Sequence, residues 1–359
     1  MAENLLKNSE NKNQLNEYLA KKLLEMHQGD QLLVASYRTT ALSSNAFCAE
    51  LDENVPVRPC ASEEADQRLV RHTLNMIQSG YKNVLVRTID TDVLVLLLAH
   101  IPQVEDVNIN AYLINSEKYH DIQKIIRTLG PTTCKALPFF YAFSGCDIVS
   151  SFYGKGKCKM YDTWMHCSYK DELTQIFTQL GESPSEITPY QTSLLAKYVL
   201  ELYGSKATSL GAARLDKFNK SSDNDLRSLP PSRDTFRQDV LRASYQSGYL
   251  WRQSVEELVI PDPNDWGWKL DADGAYYSPV WTTGQSSVSI KDLSKLALAK
   301  LESVKVAIVE VQNYRVCRCV DVVNLVRSNL SSNDLLVQYI FIQEMNIESE
   351  TSSFFQAQE

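Results

Sequence analysis

Asn83-Val84-Leu85-Val86-Arg87-Thr88-Ile89-Asp90-Thr91-Asp92-Val93-Leu94-Val95-Leu96-Leu97-Leu98 is the stretch on which the fold turns. Its first four residues predict a buried strand, and the run from Val93 a buried helix. Sequence this apolar on both sides leaves Asp90 and Asp92 only the mouth of a sheet. In open α/β sheets that mouth, at the carboxyl ends of the strands, is where ligands bind.

Upstream, the spacing predicts a helix over 62–79. Ser62 is a favourable N-cap, and Glu63 and Glu64 fall in the first turn. Ala65, Leu69, Thr73, Met76 and Ile77 form its apolar face, and Gly80 ends it. Downstream, a helix over 91–100 precedes a strand over 108–114 and a helix over 117–129 stopped by Gly130-Pro131. Thr132 opens a further helix to Phe143, kinked at Pro138 and broken by Ser144-Gly145-Cys146-Asp147. The alternation predicts an α/β fold with a mostly parallel sheet. Toward the N-terminus, Leu15, Tyr18, Leu19, Leu23 and Leu24 predict a helix within 1–28, followed by a strand over 31–37 and irregular chain over 38–62.

Beyond Asp147 the pattern becomes helical, over 161–167, 170–180 and 189–203. The polar stretch 217–233, with Pro230-Pro231, reads as a linker, and a helix follows over 235–250. The expected organisation is an α/β domain over 1–160, a helical extension over 161–216, the linker, a C-terminal helix with a Trp-rich segment over 234–285, and a divergent tail over 286–359. Within the tail, 290–311 reads as helix or strand and 334–346 as a second apolar region. There is no internal repeat.

The chain has 359 residues, 44% hydrophobic and 22% charged, an ordinary globular balance. The net charge of −8 argues mildly against nucleic acid, although acids clustered at a metal site contribute to it. The eight cysteines form no Cys-x-x-Cys pair, and Cys317-Arg318-Cys319 is too tight for a zinc knuckle. With no secretory signal read at the N-terminus, they are expected to be free thiols in a reducing compartment. The longest apolar run, near Val93–Ile101, is too short to span a bilayer. The expectation is an intracellular protein, nuclear or cytoplasmic, with no membrane partner.

The acids suggest metal chemistry. Magnesium prefers oxygen ligands, few of them from protein, and two such ions about 3.5–4 Å apart can clamp the oxygens of a phosphodiester. Glu63, Glu64 and Asp66 open one helix, Asp90 and Asp92 follow a strand, and Asp147 sits beside a glycine. Each cluster has a plainer reading. Glu63 and Glu64 also serve as first-turn acids on a helix dipole, at about even odds. Asp90 and Asp92 also read as an N-cap and a solvated neighbour, and Asp147 as a turn residue. Convergence of three clusters in one α/β unit is what favours a site.

At these residues the chain resembles the flap-endonuclease (XPG-type) branch of the PIN-like nucleases. Glu64-Ala65-Asp66 matches that family's helical acid pair, Asp90 and Asp92 its strand-end pair, and Asp147 its Gly-x-Asp ligand. Gly154-Lys155-Gly156-Lys157 matches its duplex-gripping loop. More closely, Glu63-Glu64-Ala65-Asp66-Gln67-Arg68, Asp90-Thr91-Asp92-Val93-Leu94-Val95-Leu96-Leu97, Gly145-Cys146-Asp147 and Phe152-Tyr153-Gly154-Lys155-Gly156-Lys157 are similar to a group of uncharacterised, mobile-element-like animal proteins. Tyr245-Gln246, Trp251-Arg252 and Trp266-Gly267-Trp268 are similar to that group's C-terminal segment, so the resemblance spans roughly 10–284. The chain departs from the nuclease pattern in that the strand ending at Ser36-Tyr37-Arg38 carries no acid. Either that fold's N-terminal strand is missing, or Asp30 or Asp52 supplies its ligand.

The resemblance implies a PIN-like (flap-endonuclease-like) parallel sheet flanked by helices, followed by a mainly helical extension. It implies a divalent-metal-dependent nuclease using Mg2+ or Mn2+, acting on nucleic acid, DNA ahead of RNA. Asp90, Asp92 and Asp147 would be catalytic, and Glu63, Glu64, Asp66, Asp90, Asp92 and Asp147 would hold metal. Lys155, Lys157 and Lys159 would contact nucleic acid. The alternatives are a catalytically inactive nucleic-acid- or protein-binding module on that scaffold, and an α/β scaffold whose tail contacts a protein partner. Without the resemblance, the three lysines read equally well as a solvated turn. The Trp/Tyr segment reads as a small aromatic core ahead of a base-stacking surface, and Asp271-Ala272-Asp273-Gly274 as a turn.

Overall fold

The computed structural model describes residues 9–27, 33–37, 40–43, 65–103, 106–182, 186–220, 226–256, 258–272, 274, 277–280 and 338–340. The described elements are α1 (Ser9–Met26), β1 (Leu33–Tyr37), β2 (Thr40–Ser43), α2 (Ala65–Gln78), β3 (Asn83–Thr88), α3 (Thr91–His100), β4 (Asn108–Leu113), β5 (Lys118–Asp121), α4 (Ile122–Leu129) and α5 (Pro131–Phe143). There follow α6 (Lys157–His166), α7 (Lys170–Glu182), α8 (Pro189–Leu202), α9 (Leu210–Lys220), α10 (Arg233–Tyr245), β6 (Trp268–Leu270), β7 (Tyr277–Pro279) and β8 (Gln338–Ile340). Among the described residues no helix is long and apolar enough to cross a membrane.

The chain divides into two units, one of Met1–Arg68 with Ile290–Glu359, the other of Leu69–Ser289. In the first, β1 pairs antiparallel with β2 and parallel with β8. In the second, β3 pairs parallel with β4, from Asn83 opposite Asn108 to Thr88 opposite Leu113, and β4 pairs antiparallel with β5. The expected parallel sheet is thus a mixed sheet of three strands in the order β3-β4-β5, and β1 belongs to a separate ladder. The fold class is α/β with helices flanking a small sheet and a helical part beyond it.

The correction falls at 117–129, expected as one helix. Lys118-Tyr119-His120-Asp121 is extended and pairs with β4, and α4 begins only at Ile122, capped by the Asp121 carboxylate accepting from Lys124 N–H at 2.8 Å. Glu117, in the left-handed region at φ 53°, makes the reversal that lets β5 run back along β4. The polar stretch 217–233 also departs from a linker. Lys217–Lys220 finish α9, Leu226–Ser228 form a 3-10 turn, and Arg233 opens α10.

Burial follows the pleat. Val84, Val86 and Thr88 of β3 and Ile109, Ala111 and Leu113 of β4 are buried, and the residues between them are not. α3 buries Val93, Val95, Leu96, Leu97 and Leu98, too many for one stripe, because α5 packs on it from the second layer. α5 continues unbroken through Pro138. Its Phe139 lies 5.6 Å from Phe143 and 5.4 Å from Phe177 of α7, and Phe143 meets Phe236 of α10 edge-on at 6.2 Å. The helical region therefore shares the core of the sheet in this unit. Of the Trp-rich segment, Trp266 is buried against Tyr249 at 5.1 Å, and β6 and β7 form a hairpin, in keeping with a small aromatic core. Tyr276, Trp281 and Asp273 lie outside the described residues, as do 290–311 and most of 334–346.

His100, at the last position of α3, carries a buried Nε2 with no hydrogen-bond partner among the described residues. Burial, and then the charge of Arg252, pull its imidazole from 6.5 down to about 4. Between those values the unfolded chain binds a proton that the folded chain refuses, so stability falls as pH drops through that window. At about 1.4 kcal/mol per pH unit the loss reaches roughly 3 kcal/mol. Urea midpoints of the wild type and His100→Gln across this range should converge as the pH falls below 6. Asp239 has the opposite sign: burial pushes it up to about 6 against the Arg242 guanidinium, so the folded chain gains the proton. It cancels in the comparison. Parallel midpoints for the two proteins would contradict the assignment.

Candidate functional site at the end of β3

β3 ends at Thr88, whose Oγ1 accepts from the Asp90 N–H at 3.0 Å. Asp90 is extended, with φ −101° and ψ 136°, and its Oδ1 accepts from the Asp92 N–H at 2.9 Å. It is therefore the N-cap of α3, and Asp92 stands in the first turn. The positive end of the helix dipole favours both carboxylates there. Asn115, in the turn after β4, braces the loop by donating Nδ2 to the Ile89 carbonyl at 3.2 Å.

Tyr141, in the last turn of α5, reaches this corner. Its hydroxyl hydrogen-bonds the Thr91 hydroxyl. Burial pushes the phenol up to about 12, and the charges of Asp92 and Asp90 and a hydrogen bond with Asp92 act in the same direction. At neutral pH Tyr141 is thus a neutral donor beside the Asp92 carboxylate. Trp251 packs against the ring with centroids 6.4 Å apart.

Lys157 approaches from the first turn of α6. Its ammonium donates to the Tyr141 carbonyl at 3.1 Å, to Ser144 Oγ at 3.1 Å and to the Gly145 carbonyl. It also lies 3.7 Å from the Tyr141 ring centroid. An ammonium has three hydrogens, and each has an acceptor here. Burial lowers the lysine's pKa, while Asp92 and Cys146 act to raise it. The arrangement satisfies carbonyls at the end of α5 and places a cation near Asp92. Burial pushes the neighbouring Cys146 thiol up to about 11, so it is no thiolate nucleophile at neutral pH.

Asp147 follows on an exposed tight turn, closed by Cys146 N–H to Val149 O at 3.1 Å and Val149 N–H to Cys146 O at 3.2 Å. The structure therefore gathers Asp90, Asp92, Tyr141, Cys146 and Lys157 at one corner, with Asp147 on the adjoining turn. Glu63 and Glu64 lie outside the described residues. Asp66, in the first turn of α2, belongs to the other unit. Among the described residues no group of three or more His, Cys, Asp or Glu side chains is placed to hold a metal ion. Magnesium, which keeps several waters and takes one or two carboxylates, fits the donor chemistry of Asp90 and Asp92 as a single ion. A clamp of two ions needs carboxylates beyond this pair.

The sequence motifs did not mark Tyr141, and they assigned Lys157 to nucleic acid. The one signal for Tyr141 is a hydroxyl in the run Phe139-Phe140-Tyr141-Ala142-Phe143, just before the break at Gly145. The partners of Lys157 are 12 to 16 residues back in the chain and left no local trace. In comparisons with protein-family models, curated proteins and solved structures, nothing matches this chain.

Proposed function

We propose that this protein is a PIN-like, divalent-metal-dependent nuclease that hydrolyses phosphodiesters of DNA or RNA. The observation that carries the reading is the pair Asp90 and Asp92, fixed by a helix cap at the carboxyl end of a parallel strand, with a neutral phenol and a half-buried ammonium beside them. Asp90 and Asp92 would hold Mg2+ or Mn2+, and a bound ion supplies a polarised water at neutral pH. Tyr141 would orient Asp92 by hydrogen bonding and could donate to a phosphate oxygen. Lys157 balances Asp92 and fixes the end of α5, and Asp147 would complete the ligand set from its turn. Lys155 and Lys159 would contact the nucleic acid.

A second reading is favoured by one observation, the lack of a third carboxylate converging on Asp90 and Asp92 among the described residues. It is a degenerate relative that binds nucleic acid or protein without cutting. Manganese calorimetry on the wild type and on Asp90→Asn/Asp92→Asn separates the two. Asparagine also caps helices well, so the double variant should fold. Manganese affinity should fall at least tenfold, about 1.4 kcal/mol, with loss of metal-dependent nicking of a labelled branched DNA. Binding without nicking selects the degenerate relative, and equal affinity in the double variant removes the metal assignment.

A further inference from the structure

With its three hydrogens bound internally, Lys157 has no donor left for a phosphate, while its neighbours face elsewhere. Lys155 sits on the tight turn closed by its own N–H to Phe152 O at 2.8 Å. Its ammonium lies 4.9 Å from the centroid of the Tyr203 ring. Tyr203 is the C-cap of α8. The ammonium of Lys217, on α9 and 62 positions further along the chain, lies 5.2 Å from the same centroid. Lys159, exposed on α6, is close enough to repel Lys155. Tyr153, half exposed beside this turn, carries the Arg227 guanidinium 5.0 Å from its ring centroid.

From this geometry we infer that Lys155 and Lys217, which share the Tyr203 ring, and Lys159 close to Lys155 form one binding surface for the sugar–phosphate backbone of a nucleic acid. It rests on the nucleic-acid half of the function proposed above and adds Lys217 and Tyr203, which no sequence motif marks. Like charges held together are costly unless an anion joins them, and a chain of phosphates supplies several at once. Burial, and then the charges of Lys217 and Lys159, lower the Lys155 pKa. Tyr203 is flanked by ammonium groups, so its ring is a platform for charge and not a stacking surface for bases. The contacts are therefore of the kind that position a strand without reading its sequence.

These cations could serve the protein in two further ways, and each has its own signature. Cations near the end of α8 favour its dipole, which would affect stability alone. A basic helix with apolar residues can instead sit on an anionic membrane, and Leu215 and Phe218 of α9 are exposed at 61% and 43%. At about 100° per residue Leu215 lies on the far side of α9 from Lys217, which disfavours a single face serving a membrane.

The test is fluorescence anisotropy of a short labelled DNA duplex with the full chain in EDTA, as potassium chloride is raised. Lys155→Ala and Lys217→Ala should each weaken binding and flatten the log–log salt dependence by about 0.9. Lys217→Arg should keep the slope, and Lys118→Ala, a charge lost from β5, should match the wild type. Melting of each variant reports whether it folds. No duplex binding by the wild type overturns the proposal. So do unchanged affinity and slope in both alanine variants with lowered melting temperatures, or Lys217-dependent binding to phosphatidylserine vesicles in place of duplex. The assay contains no metal, so its failure is distinct from failure of hydrolysis. A chain that binds through Lys217 and never nicks keeps this surface, and one that nicks while both alanine variants bind normally loses it.

Discussion

Gly145→Ala should destabilise the sheet unit by about 3 kcal/mol, the combined cost of a left-handed backbone and an overpacked contact. Gly145 has φ 111°, a region that residues with a side chain rarely occupy. A Cβ there would lie 2.6 Å from Ser151 Cβ and 2.9 Å from Ser151 Cα. The second of these atoms is backbone, so no rotamer change relieves the clash. The residue is also a site element, because its carbonyl accepts from the Lys157 ammonium. The tight turn that carries Asp147 begins one residue later. For a domain of this size about 3 kcal/mol corresponds to a melting temperature lowered by roughly 6–12 °C. Thermal unfolding followed by circular dichroism measures it. An alanine variant melting within a degree or two of the wild type would show that the 144–151 loop can adopt another path.

Trp164→Ala should be more damaging, by about 4 kcal/mol. The side chain is fully buried. It contacts Phe140 at 5.0 Å, Tyr161 at 5.7 Å and Phe177 at 5.0 Å between centroids. Its Nε1 donates to Thr174 Oγ1 at 3.0 Å. Removing the ring opens a cavity where α5, α6 and α7 meet and takes a partner from a buried hydroxyl. The cost is a large fraction of the whole stability of an ordinary domain. Trp164→Phe, which keeps most of the volume and loses the N–H, should cost roughly half as much. Urea unfolding of the three proteins gives both values, and an alanine variant within about 1 kcal/mol of the wild type would mean that the site collapses around the gap. Trp164 and Lys157 stand two turns apart on α6, so the ring also anchors the helix that aims the ammonium at the end of α5.

How far sequence alone reaches differs by element. The strand over 83–88 and the helix from 91 follow from the two apolar runs, with Asp90 between them as a cap. Both are as expected, because the information is local. β5 escapes the sequence pattern because Lys118-Tyr119-His120-Asp121 is polar and only four residues long. Its strand character comes from pairing with β4, and an edge strand with exposed side chains leaves no apolar signal. The last turn of α9 escapes it because Lys217–Lys220 buries no side chain and continues into the polar stretch read as a linker.

The candidate site shows the same division. Sequence by itself marked Asp90 and Asp92 as acids confined to the end of a strand, since apolar runs on either side leave them no other place. It also marked the Gly145 break and the lysine-rich loop. Only the tertiary structure decided what surrounds them. It put the Tyr141 hydroxyl against Thr91, turned Lys157 inward to the end of α5, left Asp147 on an exposed turn, and brought Lys217 to the ring that Lys155 faces. The physical reason is that capping and periodicity act over a few residues and are written locally. The partner of a long, flexible ammonium or a phenol is set by which helices pack together.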